Sequence, residues 1–152
     1  MGRSTCNLKY TAAPLYRSNL KTTMNSSHAT NTVLVVDDVC HNRLIARIYL
    51  QMLGWTVLEA DSGHAAVKIL QQIRPSHILL DIKMPDIDGI SVLKFIRETL
   101  RYDDVCVIAY TAHAHEEELR KMLLLGFDSV VVKPILYENV SSRFGPVNIH
   151  AI

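Results

Sequence analysis

Four places in the chain put groups capable of ionic chemistry directly after short apolar runs. Asp37-Asp38 follow Val33–Val36, Asp81 closes a run through Ile78-Leu79-Leu80, Thr111 follows Val105–Tyr110, and Lys133-Pro134 follow Ser129–Val132. Three carboxylates brought within a few ångströms repel one another, and a site that keeps them ionised needs a cation. Hard oxygen donors with water completing the shell suit Mg²⁺ better than a softer metal. A lysine beside them does more than neutralise: it would hold a phosphoryl group once the metal had drawn one in, so that the group's spread charge met a metal on one side and an ammonium on the other.

Such chemistry requires the four places to meet, and the pattern between them supplies the means. Val33–Val36 is apolar throughout, as in a strand covered on both faces. Leu44/Ile45, Ile48/Tyr49 and Met52/Leu53 then recur every three to four positions, predicting a helix that Gly54 ends. Thr56–Ala60 reads as a second strand. Ser62 can cap a helix carrying Ala66, Ile69, Leu70 and Ile73, stopped before Pro75. His77–Asp81 is a third strand, followed by a loop holding Pro85 and Gly89. Ile90–Leu100 reads as a helix, Val105–Tyr110 as a strand, Glu116–Leu125 as a helix closed by Gly126, Ser129–Val132 as the last strand and Leu136–Ser142 as a short helix. Five strands alternating with five helices predict an α/β fold, a doubly wound parallel sheet with helices on both faces. Sheets of this kind bind ligands beyond the carboxyl ends of their strands, which is where every polar group above falls.

Composition sets bounds on the rest. The chain has 152 residues, 49% hydrophobic and 20% charged, enough for one core and too apolar for a disordered chain. Its net charge of +1 points to neither nucleic acid nor membrane. Residues 1–31 carry Arg3, Lys9, Arg17 and Lys21 with no acid, leaving twelve bases against fifteen acids in the remainder. That leader is expected to be a disordered basic extension, with targeting, partner binding or a true start at Met24 as alternatives. Residues 144–152 are expected to be a flexible end, so the domain is expected over 32–143. Cys6, Cys40 and Cys106 are too few and scattered for a disulfide framework or zinc site, and no apolar run reaches membrane-span length. A cytoplasmic protein is expected.

The segment from Thr32 to Arg143 resembles the receiver domain of two-component response regulators. The resemblance rests on V-L-V-V-D-D (33–38), L-L-D-I-K-M-P-D-I-D-G (79–89), A-Y-T-A (109–112) and V-V-K-P (131–134), in order and at strand ends. It implies a flavodoxin-like fold with strand order 2-1-3-4-5. It makes Asp81 the phospho-acceptor, a carboxylate nucleophile forming an acyl phosphate. Asp38 matches the direct Mg²⁺ ligand, Asp37 the acid that holds the metal through water, and Lys83 supplies a backbone carbonyl ligand. Thr111 and Ala112 match the phosphoryl-binding switch segment, and Lys133 the ammonium paired with the phosphoryl group, with a cis peptide at Lys133-Pro134. Gly89 would occupy a loop position of positive φ. Lys83 and His113, each two residues after a site residue, flank the water path and would tune phosphate lifetime. The implied donor is a histidine kinase or histidine phosphotransfer protein, and the implied output is binding to another protein, without catalytic turnover, since no output domain is expected after residue 143. The family's switch aromatic is replaced by Val130.

Each residue also has an ordinary reading. Asp37-Asp38 could cap a helix, and Asp86 and Asp88 are expected to form turns. Glu116-Glu117-Glu118 suit the positive end of a helix. Met122 and Leu123–Leu125 read as core in preference to a partner face. Other classes fit less well. A haloacid-dehalogenase-type phosphatase needs an Asp where Lys83 stands, a flavin binder would meet repulsion at Asp37-Asp38, and a binding-only module would lack one of Asp81, Asp38 or Lys133.

Overall fold

The computed structural model describes residues 28–113 and 115–147. Five strands form one sheet: β1 (His28–Val36), β2 (Thr56–Ala60), β3 (Arg74–Asp81), β4 (Cys106–Thr111) and β5 (Ser129–Val132). All pairings are parallel, in the order β2-β1-β3-β4-β5. The helices are α1 (Cys40–Met52), α2 (Gly63–Leu70), α3 (Gly89–Lys94), α4 (Glu116–Leu125) and α5 (Tyr137–Phe144).

Strands this apolar bury alternate residues on opposite faces. Leu34, Val36, Ile78, Leu80, Val107 and Ala109 pack with Ala66 and Leu70 of α2 and with Val92 and Leu93 of α3. Val33, Val35, Leu79, Ile108 and Tyr110 pack on the other face with Ala46 and Leu50 of α1 and Val140 and Phe144 of α5. With apolar contacts filling both faces, the polar residues that follow each strand are left at the sheet's carboxyl edge.

Several expectations are corrected. β1 begins at His28, inside the stretch expected to be an extension: His28 and Ala29 pair with Arg74 and Pro75, and the register shifts before Val33, with Asn31 at φ 61°. The polar Thr30-Asn31-Thr32 concealed this irregularity, which Asn tolerates better than most residues. The earlier part of that leader, and Asn148–Ile152, lie outside the described residues. At the other end α5 runs to Phe144, and the Val147 amide donates to the Leu53 carbonyl at 2.8 Å, so the fold extends past residue 143. β3 starts at Arg74 and includes Pro75, tolerated at the start of a strand, so the second helix ends at Leu70. The helix expected to reach Leu100 changes character at Phe95, where five residues widen to π geometry and the Leu100 amide donates to the Phe95 carbonyl.

Two helical stripes face differently from expectation. In α1 the fully buried positions are Ala46 and Leu50, while Leu44, Ile48 and Met52 are exposed, Met52 by 67%. In α4 Met122 is buried but Leu123, Leu124 and Leu125 are exposed, Leu124 by 87%. A run of four apolar residues necessarily spans more than one helix face.

Candidate functional site

Register explains the assembly. β1 and β3 lie side by side with Val36 opposite Leu80, and Asp81 is opposite Tyr110 of β4, so Asp37, Asp81 and Thr111 emerge together. Ligand oxygens of Asp37, Asp38 and Asp81 all lie within 4.8 Å of one another. The Lys133 Nζ reaches in from the end of β5, 2.7 Å from Asp37 Oδ2 and 3.1 Å from Asp81 Oδ1. The Lys133–Pro134 peptide is cis, and the Lys133 amide donates to the Thr111 carbonyl at 2.7 Å.

The three carboxylates differ in their surroundings. Asp37 is fully buried and fully engaged: Oδ1 accepts from the Val39 amide at 2.8 Å, and Asn42 Nδ2 donates to both oxygens. Asp38 is exposed and makes no side-chain hydrogen bond or ion pair among the described residues. Neither caps α1 in the ordinary sense, because the N-cap position is Val39. Asp81 is 3% exposed, and its Oδ1 accepts from the Lys83 amide at 3.2 Å as well as facing Lys133. Burial pushes the Asp81 carboxyl above the usual carboxylate range; Lys133 opposes that shift and Asp37 adds to it. Tyr110 forms part of the floor, its ring centroid 4.7 Å from Lys133 Nζ. Burial and the charge of Asp37 push its phenol up to about 12.

Around this centre the structure brings in some expected residues and repositions others. Thr111 is buried and its Oγ1 accepts from the His113 amide at 3.2 Å. Ala112 is exposed beside it. Lys83 and His113 meet each other, Nζ to Nε2 at 2.7 Å, with the His113 Nδ1 3.9 Å from Glu118. Val130 is half-buried on β5 opposite Ala109 and packs on the core. Gly89 does not have positive φ. Its requirement is spatial: a Cβ there would lie 2.2 Å from the Asp81 carbonyl oxygen.

The sequence reading missed Asn42, a neutral amide with no motif around it. It also missed Arg43, whose guanidinium donates to the Asp37 carbonyl at 2.8 Å. Asp88 caps α3 through the Ser91 amide, whereas Asp86 reaches across to the amides of Gly63 and His64 at the start of α2.

A parallel five-stranded α/β sheet with an acidic cluster and one lysine at its carboxyl edge defines a class of phosphoryl- or metal-handling proteins. Within that class the chain belongs to the response regulator receiver domain family, whose description matches residues 33–144. It is 36% identical over 118 residues to the signal transduction histidine-protein kinase BarA of Escherichia coli strain K12, covering 76% of this chain and 13% of that protein. It is also 36% identical over 115 residues to the probable transcriptional regulator ycf27 of Guillardia theta, covering 76% of this chain and 44% of the relative. The chain therefore spans between about an eighth and just under half of the length of those relatives. Among solved structures, the chemotaxis response regulator CheY4 of Vibrio cholerae aligns with TM-score 0.67 and 28% identity over 72% of this chain and 91% of that one. The receiver domain of the Francisella response regulator 1452 aligns with TM-score 0.66 and 27% identity over 72% and 88%. Homology to histidine kinases and response regulators that share this domain supports a phospho-acceptor role in two-component signalling. No helix among the described residues is long and apolar enough to cross a membrane.

Proposed function

We propose that the protein takes a phosphoryl group from a phosphohistidine, on a histidine kinase or histidine phosphotransfer protein, onto Asp81 and signals by binding another protein. The observation that carries this is the convergence of three carboxylates within 4.8 Å of one another, two of them paired with a single lysine. One ammonium leaves that group short of positive charge, and the exposed Asp38 carboxylate, unpaired among the described residues, beside buried Asp37 fits a hard divalent cation, Mg²⁺. When bound, Mg²⁺ supplies charge neutralisation and orientation for the incoming phosphoryl oxygens. Asp38, Asp81 and the Lys83 carbonyl would hold the ion directly, and Asp37 would hold it through water.

Asp81 Oδ1 is fixed by Lys133 and the Lys83 amide, which leaves Oδ2 as the attacking oxygen. The Oδ2–P bond forms as the P–N bond to the donor imidazole breaks, and the ring nitrogen keeps that electron pair and takes a proton. Lys133 then pairs with the phosphoryl oxygens, and the Thr111 hydroxyl, freed from the His113 amide, donates to one of them. The product is a phosphorylated signalling protein whose acyl phosphate is lost slowly to water, without enzymatic turnover of a second substrate.

Intact-mass measurement with acetyl phosphate tests the reading. One phosphoryl group should be gained with Mg²⁺, none without it, and none by Asp81→Asn. Labelling of Asp81→Asn at the wild-type rate would rule out this nucleophile.

A further inference from the structure

The loop between β3 and α3 carries Lys83, whose amide orients the acceptor carboxylate, yet the loop's firmest polar attachment lies on another helix. Asp86 Oδ1 accepts from the Gly63 amide at 3.1 Å, and Asp86 Oδ2 accepts from the His64 amide at 2.9 Å and contacts His64 Nδ1 at 2.9 Å. The first turn of α2 contains no acidic residue of its own, so the negative charge that a helix start favours comes from this loop. Those N–H donors hold the Asp86 carboxyl well below the usual carboxylate range against the opposing effect of burial. Packing repeats the attachment independently. A Cβ at Gly63 would lie 2.6 Å from the Ile87 carbonyl oxygen and 2.7 Å from Ile87 Cβ, so loop and helix touch backbone to backbone. At its end the loop folds onto its own strand, the Gly89 amide donating to Ile82 at 3.0 Å. Only Met84 and Pro85 separate Asp86 from Lys83, and the proline ring stiffens that link.

From this geometry we infer that Asp86 is a positioning residue for phosphoryl acceptance: it fastens the loop to the start of α2 and so holds the Lys83 amide against Asp81 Oδ1. The inference rests on the phospho-acceptor reading of Asp81. It makes α2, which supplies none of the reacting groups, the post on which the acceptor's orientation depends.

The test uses the full chain, with Asp86→Ala, Asp86→Asn and His64→Ala compared with wild type. In metal-free protein, the NMR signal and hydrogen exchange of the Lys83 amide report the contact directly. Asp86→Ala should shift that signal and speed its exchange at least about threefold, while the Val35 amide in the central sheet keeps its protection. With Mg²⁺ and acetyl phosphate, Asp86→Ala should also accept phosphate at least about threefold more slowly. Asp86→Asn keeps an acceptor oxygen and should recover part of both losses, and His64→Ala, which retains the backbone contacts, should lose less than Asp86→Ala. A slowed reaction with an unmoved Lys83 amide would overturn the positioning role, as would a moved amide with wild-type acceptance. If Asp86→Ala does not fold, unchanged Lys83 exchange and unchanged rates in both Asp86→Asn and His64→Ala would overturn it equally. If wild type takes no phosphate at Asp81, the acceptor reading fails instead, and the Lys83 amide alone decides whether Asp86 sets that contact.

Discussion

The two edges of the sheet handle charge in opposite ways. At the amino edge, Arg97 donates to the carbonyls of Tyr102 and Val105 and pairs with Asp128 at 2.8 Å, while the same Asp128 oxygen accepts from the Val107 amide. Arg74 pairs with Asp104 and lies 4.7 Å over the Tyr102 ring, whose hydroxyl donates to the Leu70 carbonyl. Each of these cations meets a carboxylate, and together the pairs tie the end of the third helical segment to β4 and β5. At the carboxyl edge Asp37 and Asp81 share Lys133, and the third carboxylate, Asp38, has no partner among the described residues. The first arrangement fastens the fold. The second leaves negative charge uncompensated, which costs stability in the metal-free protein and, on the function proposed above, is what draws in a cation and then a phosphoryl group.

Removing charge at the amino edge should therefore cost the most stability and the least function. Arg97→Ala strips Asp128 of its guanidinium and leaves two carbonyls short of a donor, so unfolding in urea should show a loss of about 2–4 kcal/mol. The folded fraction should still accept phosphate at close to the wild-type rate. A large fall in that rate with little change in stability would reverse the division between the edges.

The carboxyl edge should respond to Mg²⁺ instead. At a hundredfold excess over its dissociation constant, Mg²⁺ should stabilise wild type by about 2.7 kcal/mol. Asp38→Ala removes an exposed carboxylate that has no partner among the described residues, so metal-free stability should stay within about 0.5 kcal/mol of wild type while the Mg²⁺ gain disappears. Asp37→Ala breaks the contacts to Lys133, Asn42 and the Val39 amide, so it should lower metal-free stability and weaken Mg²⁺ binding less. Calorimetric titration checks both, and equal losses of Mg²⁺ affinity would undo the assignment of the two roles.

A subtler difference lies in pH. The carboxyl of Asp81 is raised in the folded state by burial, so folding favours its protonated form. The stability linked to this group is complete below its unfolded value of 3.8 and is lost as pH rises through the higher folded value. Asp81→Asn should therefore raise the metal-free melting temperature at neutral pH, with the gain shrinking as pH falls toward 3.8. A gain that instead grew on acidification would mean that the Lys133 pairing outweighs burial.

The edges also differ in how far they can be read from sequence. The reactive residues stand out because polar groups after apolar runs break a strong pattern, and the sheet rule gathers them without further information. The supporting contacts have no such contrast. Asn42 and Asp86 are ordinary polar residues in a helix and a loop; the first meets Asp37 through the local turn into α1, and the second meets Gly63 only through tertiary packing. The irregular start of β1 and the widened turn at Phe95 escaped for a related reason. Periodicity reports which face is apolar, while pairing across the sheet decides where a strand begins and how a helix ends. The exposed Leu44, Ile48 and Met52 of α1 mark the limit of that signal.

The smallest expected effect concerns the rim of the carboxyl edge, where Lys83 Nζ and His113 Nε2 meet at 2.7 Å. The two side chains come from the segments after β3 and β4 and join beside the acceptor. Water attacking the acyl phosphate in line would have to pass such a bridge, and neither side chain is a carboxylate or amide suited to orient it. Lys83→Asn combined with His113→Ala should therefore shorten the phosphate lifetime, by about threefold, which is less than 1 kcal/mol in the barrier. Because the groups hold each other, either single variant should already release its partner, and the two effects should combine to less than their product. Single-turnover loss of phosphate from the purified variants in Mg²⁺ buffer measures both points. An unchanged or longer lifetime in the double variant would place control of the water path elsewhere, and strictly multiplicative single effects would mean that Lys83 and His113 act on the phosphate separately and not as a bridge.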